Sequence, residues 1–399
     1  MTPTSGVPEV LARSREAIAP AMKQAVERLS PDIRRLASYH LGWTDRAGAP
    51  LGAPGGKGIR PTLALLSAEA AWADAEVGVP GGVAVELVHN FSLIHDDIID
   101  GDRQRHHRPT VWSVYGVGPA IIAGDALENL AHQVLLEASQ ATGPAASAAL
   151  AEATSAMIAG QADDIAFEGR RDVSVEECMA MSAAKTGALL GCASSIGAIL
   201  AGAPPATVGA LRDFGSHLGL AFQAIDDLLG IWGDPERTGK PSGNDLRQRK
   251  KSMPVVSALA AGGEEAEELR ELLLGPTATT GPGSPDGPGT PIPTGADQGT
   301  DPPGDEPGPG TGPTAGTGPT AGAGPTAGAG ATEPLPPLRA DQVERAAYLV
   351  EACGGREWTT VRAKAHLDAA LGALERVRIS AVPHRQLADL AVYVVERES

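Results

Sequence analysis

Three aspartates stand close together in residues 89–109, HNFSLIHDDIIDGDRQRHHRP. On a helix advancing ~100° per residue, Asp96 and Asp100 fall one turn apart on one face, with His89 on that face two turns earlier. Asp97 swings to the flank, and Leu93, Ile94, Ile98 and Ile99 supply an apolar side. Like charges packed this closely are unfavourable unless a cation joins them. A hard, oxygen-seeking ion suits the group, and Mg²⁺ is commonly held by one or two carboxylates together with substrate phosphates. The basic run Arg103, Arg105, His106, His107 and Arg108 follows directly. Carboxylates for a metal beside guanidiniums for phosphate is the layout that a diphosphate ester requires.

A second acidic pair, Asp226 and Asp227, lies in LGLAFQAIDDLLGIWGD, with Gln223 one turn earlier and Lys240 in the loop beyond. Two acidic helix ends, each trailed by cations, suggest two walls of one cavity. The loop GAPGGKGIRP offers a further anion site. Gly55, Gly56 and Gly58 allow the backbone to approach a ligand, Lys57 and Arg60 flank it, and a helix starts there. A third pair, Asp163 and Asp164 in GQADDIAFE, reads as helix-lining beside Gln161 rather than as metal ligands. No Ser/His/Asp arrangement suggests a side-chain nucleophile.

Helices must position these residues. Aromatics make up only 3% of the chain, and the apolar stretches are rich in Ala and Leu, which favours packed helices. The spacing predicts helices over residues 8–40, with interruptions at Pro20 and Pro31. Others follow over 61–73, 82–101, 118–138, 147–168, 174–202, 205–232 and onward from 254. They resume over 339–353, 357–378 and 383–397. The expected fold is all-α, a single large bundle. Residues 275–337 differ in kind. Between Leu274 and Leu335 the only large apolar side chain is Ile292, and GPTAGT, GPTAGA, GPTAGA repeat over 312–329. Such a stretch cannot bury enough surface to offset its ordering entropy, so a disordered insertion is expected. The expected organisation is a helical core over 1–274, the insertion over 275–337, and helices over 338–399 completing the same domain.

Net charge is −17, from 32 basic and 49 acidic residues, which argues against nucleic acid as a partner. It also repels an anionic substrate at long range, so local cations and bound metal must overcome the far field. Cys178, Cys192 and Cys353 are scattered, in no metal-binding spacing, and Cys192 reads as a small core residue. Three unpaired cysteines and a non-signal N-terminus, MTPTSGVPEV, imply a reducing cytoplasm. No run of some twenty uninterrupted apolar residues suggests stable membrane insertion.

With GGKGIRP, DDIID, KTGALLG, DDLLG and GKPSGNDL in this order, the chain resembles the trans-isoprenyl diphosphate synthases, the polyprenyl synthetase family. The resemblance covers roughly residues 10–260, and more weakly those after 338. It implies a bundle of the isoprenoid synthase type with a central cavity, usually a homodimer. It also implies that an allylic diphosphate is joined to isopentenyl diphosphate with the help of Mg²⁺. By resemblance, Asp96, Asp100 and Asp226 hold metal, with Asp97 and Asp227 beside them. Arg105, Lys185, Thr186 and Lys240 meet the allylic diphosphate, Lys57, Arg60, His89 and His106 meet isopentenyl diphosphate, and Gln223 joins the substrate-binding set.

Two positions depart from the family pattern. His106 stands where a second arginine is usual, and His107 and Arg108 are expected to compensate. Gly230 stands where the second motif usually has a third aspartate, which leaves the outer part of that wall short of a carboxylate. Phe91 lies five residues before Asp96, roughly 7.5 Å down the helix, where a ring can floor the product tunnel, and small Ser92 opens space beside it. In the family that pairing implies a medium-chain enzyme making geranylgeranyl diphosphate. Two other readings remain. One is a terpene cyclase on the same fold, against which Lys57 and Arg60 argue. The other is a non-catalytic partner carried as cargo of an encapsulin shell, for which the carboxylates would be unneeded.

Overall fold

Helix α1 (Val7–Glu27) runs unbroken through Pro20, where the sequence predicted an interruption. Pro20 is exposed, and the buried Ile18, Met22 and Val26 on the other face hold the helix together across the lost backbone bond. Pro31 does act as a boundary, opening α2 (Pro31–His40). This computed structural model describes residues 6–51, 58–105, 107–234, 242–275 and 335–396. Lys57, His106, Lys240 and nearly all of the expected insertion lie outside them.

The centre is built from α3 (Ile59–Ala70), α4 (Ala75–Ile99), α9 (Ala188–Leu200) and α10 (Pro205–Trp232). Leu63, Ala64, Leu65, Leu66, Ala68 and Ala70 of α3 are all fully buried, the signature of a helix enclosed on every side. Close approach of α3 and α9 requires glycine at 197, where an added Cβ would collide with the Ala64 carbonyl and the Ser67 hydroxyl. Helices α6 (Val117–Ala138) and α7 (Gly143–Glu168) flank this centre, α6 against α4 and α7 against α9. A short hairpin, β1 (Gln104–Arg105) and β2 (Arg108–Pro109), and the helix α5 (Val111–Tyr115) link α4 to α6. The predicted helix over 174–202 begins as α8 (Val175–Ser182), passes through a π-helical turn (Ala183–Gly187), and continues as α9.

Beyond α10 come α11 (Asn244–Arg247), α12 (Met253–Ala260) and α13 (Glu264–Leu274), then α14 (Ala340–Ala352), α15 (Gly355–Leu374) and α16 (Ala381–Glu396). Ile231, Leu246, Leu269, Leu273, Leu338, Val343 and Leu349 share a second core, so segments on both sides of residues 276–334 are buried together. Met1–Gly275 and Leu335–Ser399 form one compact unit, and the second unit, Pro276–Pro334, is outside the described residues. The all-α bundle expected from the sequence is what the chain forms. Two stretches, Ala75–Ile99 and Val175–Leu200, are long and apolar enough in composition to cross a membrane. Here most of their length is buried inside the bundle.

Candidate active site

The first acidic wall is the C-terminal turn of α4. Asp96 is partly buried and Asp100 exposed, one turn apart. Burial pushes the Asp96 carboxyl from 3.8 up to about 6, against the pull of the Lys185 ammonium and with the push of Asp100. Asp100 is raised for the same first reason, burial, and Lys185 and Lys250 draw it back. Asp97 plays a different part. It is 1% exposed and accepts a 2.8 Å hydrogen bond from Arg105 Nε, which folds the β1–β2 hairpin onto the helix end. Arg108 does not compensate for His106 as expected. Its guanidinium donates to the Tyr39 and Thr44 carbonyls and lies over the Tyr39 ring, anchoring the hairpin to α2 instead.

The second wall is the C-terminal part of α10. Asp226 is exposed, whereas Asp227 is 2% exposed and fully engaged. Gln223 Nε2 donates to its Oδ1 at 2.9 Å, and the Met253 amide donates to its Oδ2 at 2.9 Å. The Thr186 hydroxyl donates to Gln223 Oε1 at 2.7 Å, so Thr186, Gln223 and Asp227 form a chain that fixes the wall. Burial raises the Asp227 carboxyl, and the Lys250 ammonium, 3.6 Å from Oδ1, opposes it.

Lysines tie the walls together. Lys185 sits on the π-helical turn, a local irregularity often found at functional sites. Its Nζ pairs with Asp164 Oδ2 at 2.5 Å, and Gly160 lets the α7 backbone come close enough for that contact. Asp163 is exposed, so the two members of that pair diverge. Burial would lower Lys250, but Asp227, Asp245, Asp226 and Asp164 raise it well above its ordinary value and hold it charged. Lys250 thus feels carboxylates of α7, α10 and α11, while also acting on Asp100 of α4.

Asp164, Asp245 and Lys250 were not among the predicted site residues. Their signal was present in GQADD, in the aspartate of GKPSGNDL and in the basic run that follows it, but nothing local revealed their partners. Gly230 now has a physical reason. A Cβ at that position would run into the Asp245 carboxylate, whose Oδ2 lies 3.7 Å from Lys250 Nζ. A carboxylate from α11 therefore stands against the place where the missing aspartate would be.

Arg60, in the first turn of α3, acts on His89 of α4. Arg60 lies beside Glu86, and its buried Nε has no hydrogen-bond partner among the described residues. Burial, then Arg60, His40 and Arg105, hold the His89 imidazole well below its ordinary value, so it stays neutral. Phe91 is buried with its ring edge against His95, centroids 4.8 Å apart, and the Ser92 hydroxyl donates to the His89 carbonyl.

The donor set suits Mg²⁺. Asp96 and Asp100, one turn apart, both have carboxyls raised first by burial, and a cation shared between them would offset that penalty. Among the described residues, no three His, Cys, Asp or Glu side chains converge tightly enough to cage an ion unaided. That fits an ion shared between one or two carboxylates and substrate phosphates.

An all-α bundle with two carboxylate walls joined by lysines, and an arginine–histidine pair between α3 and α4, defines an enzyme of the isoprenoid synthase fold. The model of the polyprenyl synthetase family matches residues 43–281, and the chain belongs to that family. It is 40% identical over 390 residues to a (2E,6E)-farnesyl diphosphate synthase of Mycobacterium tuberculosis, spanning 98% of this chain and 93% of that protein. A geranylgeranyl diphosphate synthase of the same species is 44% identical over 272 residues, 68% of this chain and 78% of that protein. A polyprenyl synthetase structure from Streptomyces coelicolor A3(2) superposes with a TM-score of 0.79 at 44% identity, covering 98% and 99% of the two chains.

Proposed function

We propose that the protein condenses isopentenyl diphosphate with an allylic diphosphate and that Asp96, Asp100 and Asp226 hold the Mg²⁺ it needs. The observation that carries this reading is the shared lysine field: Lys185 acts on Asp96 and Asp100 of α4, and Lys250 acts on Asp100 of α4 and on Asp226 and Asp227 of α10. Bound between such walls, Mg²⁺ supplies the positive charge that makes diphosphate a leaving group. Lys185 and Lys250 add fixed positive charge where negative charge develops on the departing oxygen. Asp97 and Asp227 act one step back, Asp97 by holding Arg105 and Asp227 by holding Gln223 and the Met253 amide. Arg60, whose Nε has no hydrogen-bond partner among the described residues, and neutral His89 receive the diphosphate of isopentenyl diphosphate. Loss of diphosphate leaves an allylic cation, the second substrate's double bond attacks it, and the departing diphosphate takes the proton. Lys57, His106 and Lys240 keep their family roles in this proposal.

Geranylgeranyl diphosphate is the proposed product. Phe91, one and a half turns below Asp96, is buried where a growing tail would end, with Ser92 as its small neighbour. Ile121, Ile122 and Leu136 of α6 and Ile158 and Ile165 of α7 are exposed, an apolar surface that supports a homodimer. The proposed organisation is one helical core interrupted by residues 275–337.

The test is incubation of labelled isopentenyl diphosphate with each allylic primer, using the parent and Asp226→Ala. A C20 product from the parent and a loss of orders of magnitude in the variant, with helicity intact, are expected. Near-normal turnover in Asp226→Ala would overturn the site, and a C15 end product would overturn the product assignment.

A further inference from the structure

Arg249 has a left-handed backbone, φ 58°, a region that side chains other than Asn and Asp seldom adopt. Its guanidinium shows what holds it there. Nη1 donates to the Leu272 and Leu273 carbonyls at 2.6 and 2.8 Å, at the C-terminal end of α13. Nε donates to the Pro336 carbonyl at 3.0 Å. These acceptors stand on opposite sides of residues 276–334 in the chain. The Leu338 amide donates to the Arg247 carbonyl at 3.1 Å, which ties the returning segment to the same loop. Within the loop, the amides of Arg249 and Lys250 donate to the Leu246 and Asp245 carbonyls, each at 2.9 Å. Lys250 follows directly, its Nζ 3.6 Å from Asp227 Oδ1 and 3.7 Å from Asp245 Oδ2.

We propose that Arg249 is a positioning residue for Lys250: its guanidinium, gripped by Leu272, Leu273 and Pro336, keeps the loop in the left-handed turn that places the Lys250 ammonium between Asp227 and Asp245. The inference rests on the proposed role of those carboxylates in handling diphosphate. A cation at the end of α13 also favours that helix by its dipole alone. That simpler role predicts lost stability with unchanged chemistry, which separates the two.

The experiment uses the full chain with Arg249→Ala, Arg249→Gly and Arg249→Lys. For each it measures kcat, KM for both substrates, the thermal midpoint, and calorimetric binding of inorganic diphosphate in the presence of Mg²⁺. Alanine and glycine lower kcat by about tenfold and weaken diphosphate binding by a similar factor, while KM for isopentenyl diphosphate stays within about twofold. Lysine, which keeps a donor, falls between them and the parent and carries the test if alanine does not fold. Parental kcat and diphosphate binding in folded Arg249→Ala or Arg249→Lys overturn the proposal, as does full recovery in Arg249→Gly. Asp226→Ala in the same assays separates the two levels. If it remains active, the site reading itself fails. If it is inactive while Arg249→Ala is normal, only this inference fails.

Discussion

Removing the Asp96 charge should stabilise the metal-free protein while abolishing its activity. Burial raises this carboxyl from 3.8 to about 6. Its value is higher in the folded chain than in the unfolded one, so the native state binds more protons between those two values. Native stability therefore falls as pH climbs through the interval, and the full penalty applies above about 6. A shift of roughly two units corresponds to about 3 kcal/mol at most. In Asp96→Asn that penalty disappears. In EDTA at pH 8 the variant should melt several degrees above the parent. The gain should shrink as pH falls below about 6 and vanish below the ordinary carboxyl range. Adding Mg²⁺ with inorganic diphosphate should reverse the order, because only the parent gains the ligand's stabilisation. Scanning calorimetry or denaturant titration at several pH values measures all of this. An asparagine variant less stable than the parent in EDTA at pH 8 would refute the reasoning, since the carboxylate would then be favourably solvated or paired without metal.

Phe91→Ala should lengthen the product, read by chromatography of the chains, and an unchanged spectrum rules Phe91 out as the floor. Gly230→Ala should displace the Asp245 carboxylate and lower turnover by roughly tenfold, with much less effect in an Asp245→Ala background. Additive losses in that double-mutant cycle would show that the two positions act independently. Replacing residues 276–334 by a short Gly/Ser linker should preserve turnover and helicity. Leu335 lies within van der Waals reach of a Cβ built at Gly275, so the two ends already meet, and a shorter loop closes at lower entropic cost. Loss of turnover in a folded linker variant would assign the segment an active role.

Helical periodicity made the bundle legible, and the places it misled have common causes. The spacing predicts a start of α4 at 82, yet the helix begins at Ala75 and passes through Gly78, Pro80, Gly81 and Gly82. These look like breakers in isolation. In the fold, Gly78 lets α4 approach the Ala64 and Leu65 backbone, and Gly82 makes room for Ile18 and Leu65. Packing between helices outweighs the local propensity. The carboxylates and basic residues were equally visible as residue types at helical spacing. Their partnerships were not, because they join distant segments. Lys185 meets Asp164 across two helices, Asp227 meets the Met253 amide across a loop, and Arg108 turns from substrate to Tyr39 and Thr44. The π-helical turn at KTG likewise leaves no mark in periodicity, since its irregular hydrogen bonding depends on neighbouring elements.

In the proposed reaction the ends of α4 and α10 grip one diphosphate through shared divalent ions. A crystal grown with Mn²⁺ and inorganic diphosphate, with ions located by anomalous scattering, tests it directly. Ions bridging the diphosphate to Asp96 and Asp100 on one side and to Asp226 on the other are the predicted result. Ions bound elsewhere, or a diphosphate held by one wall alone, would contradict it.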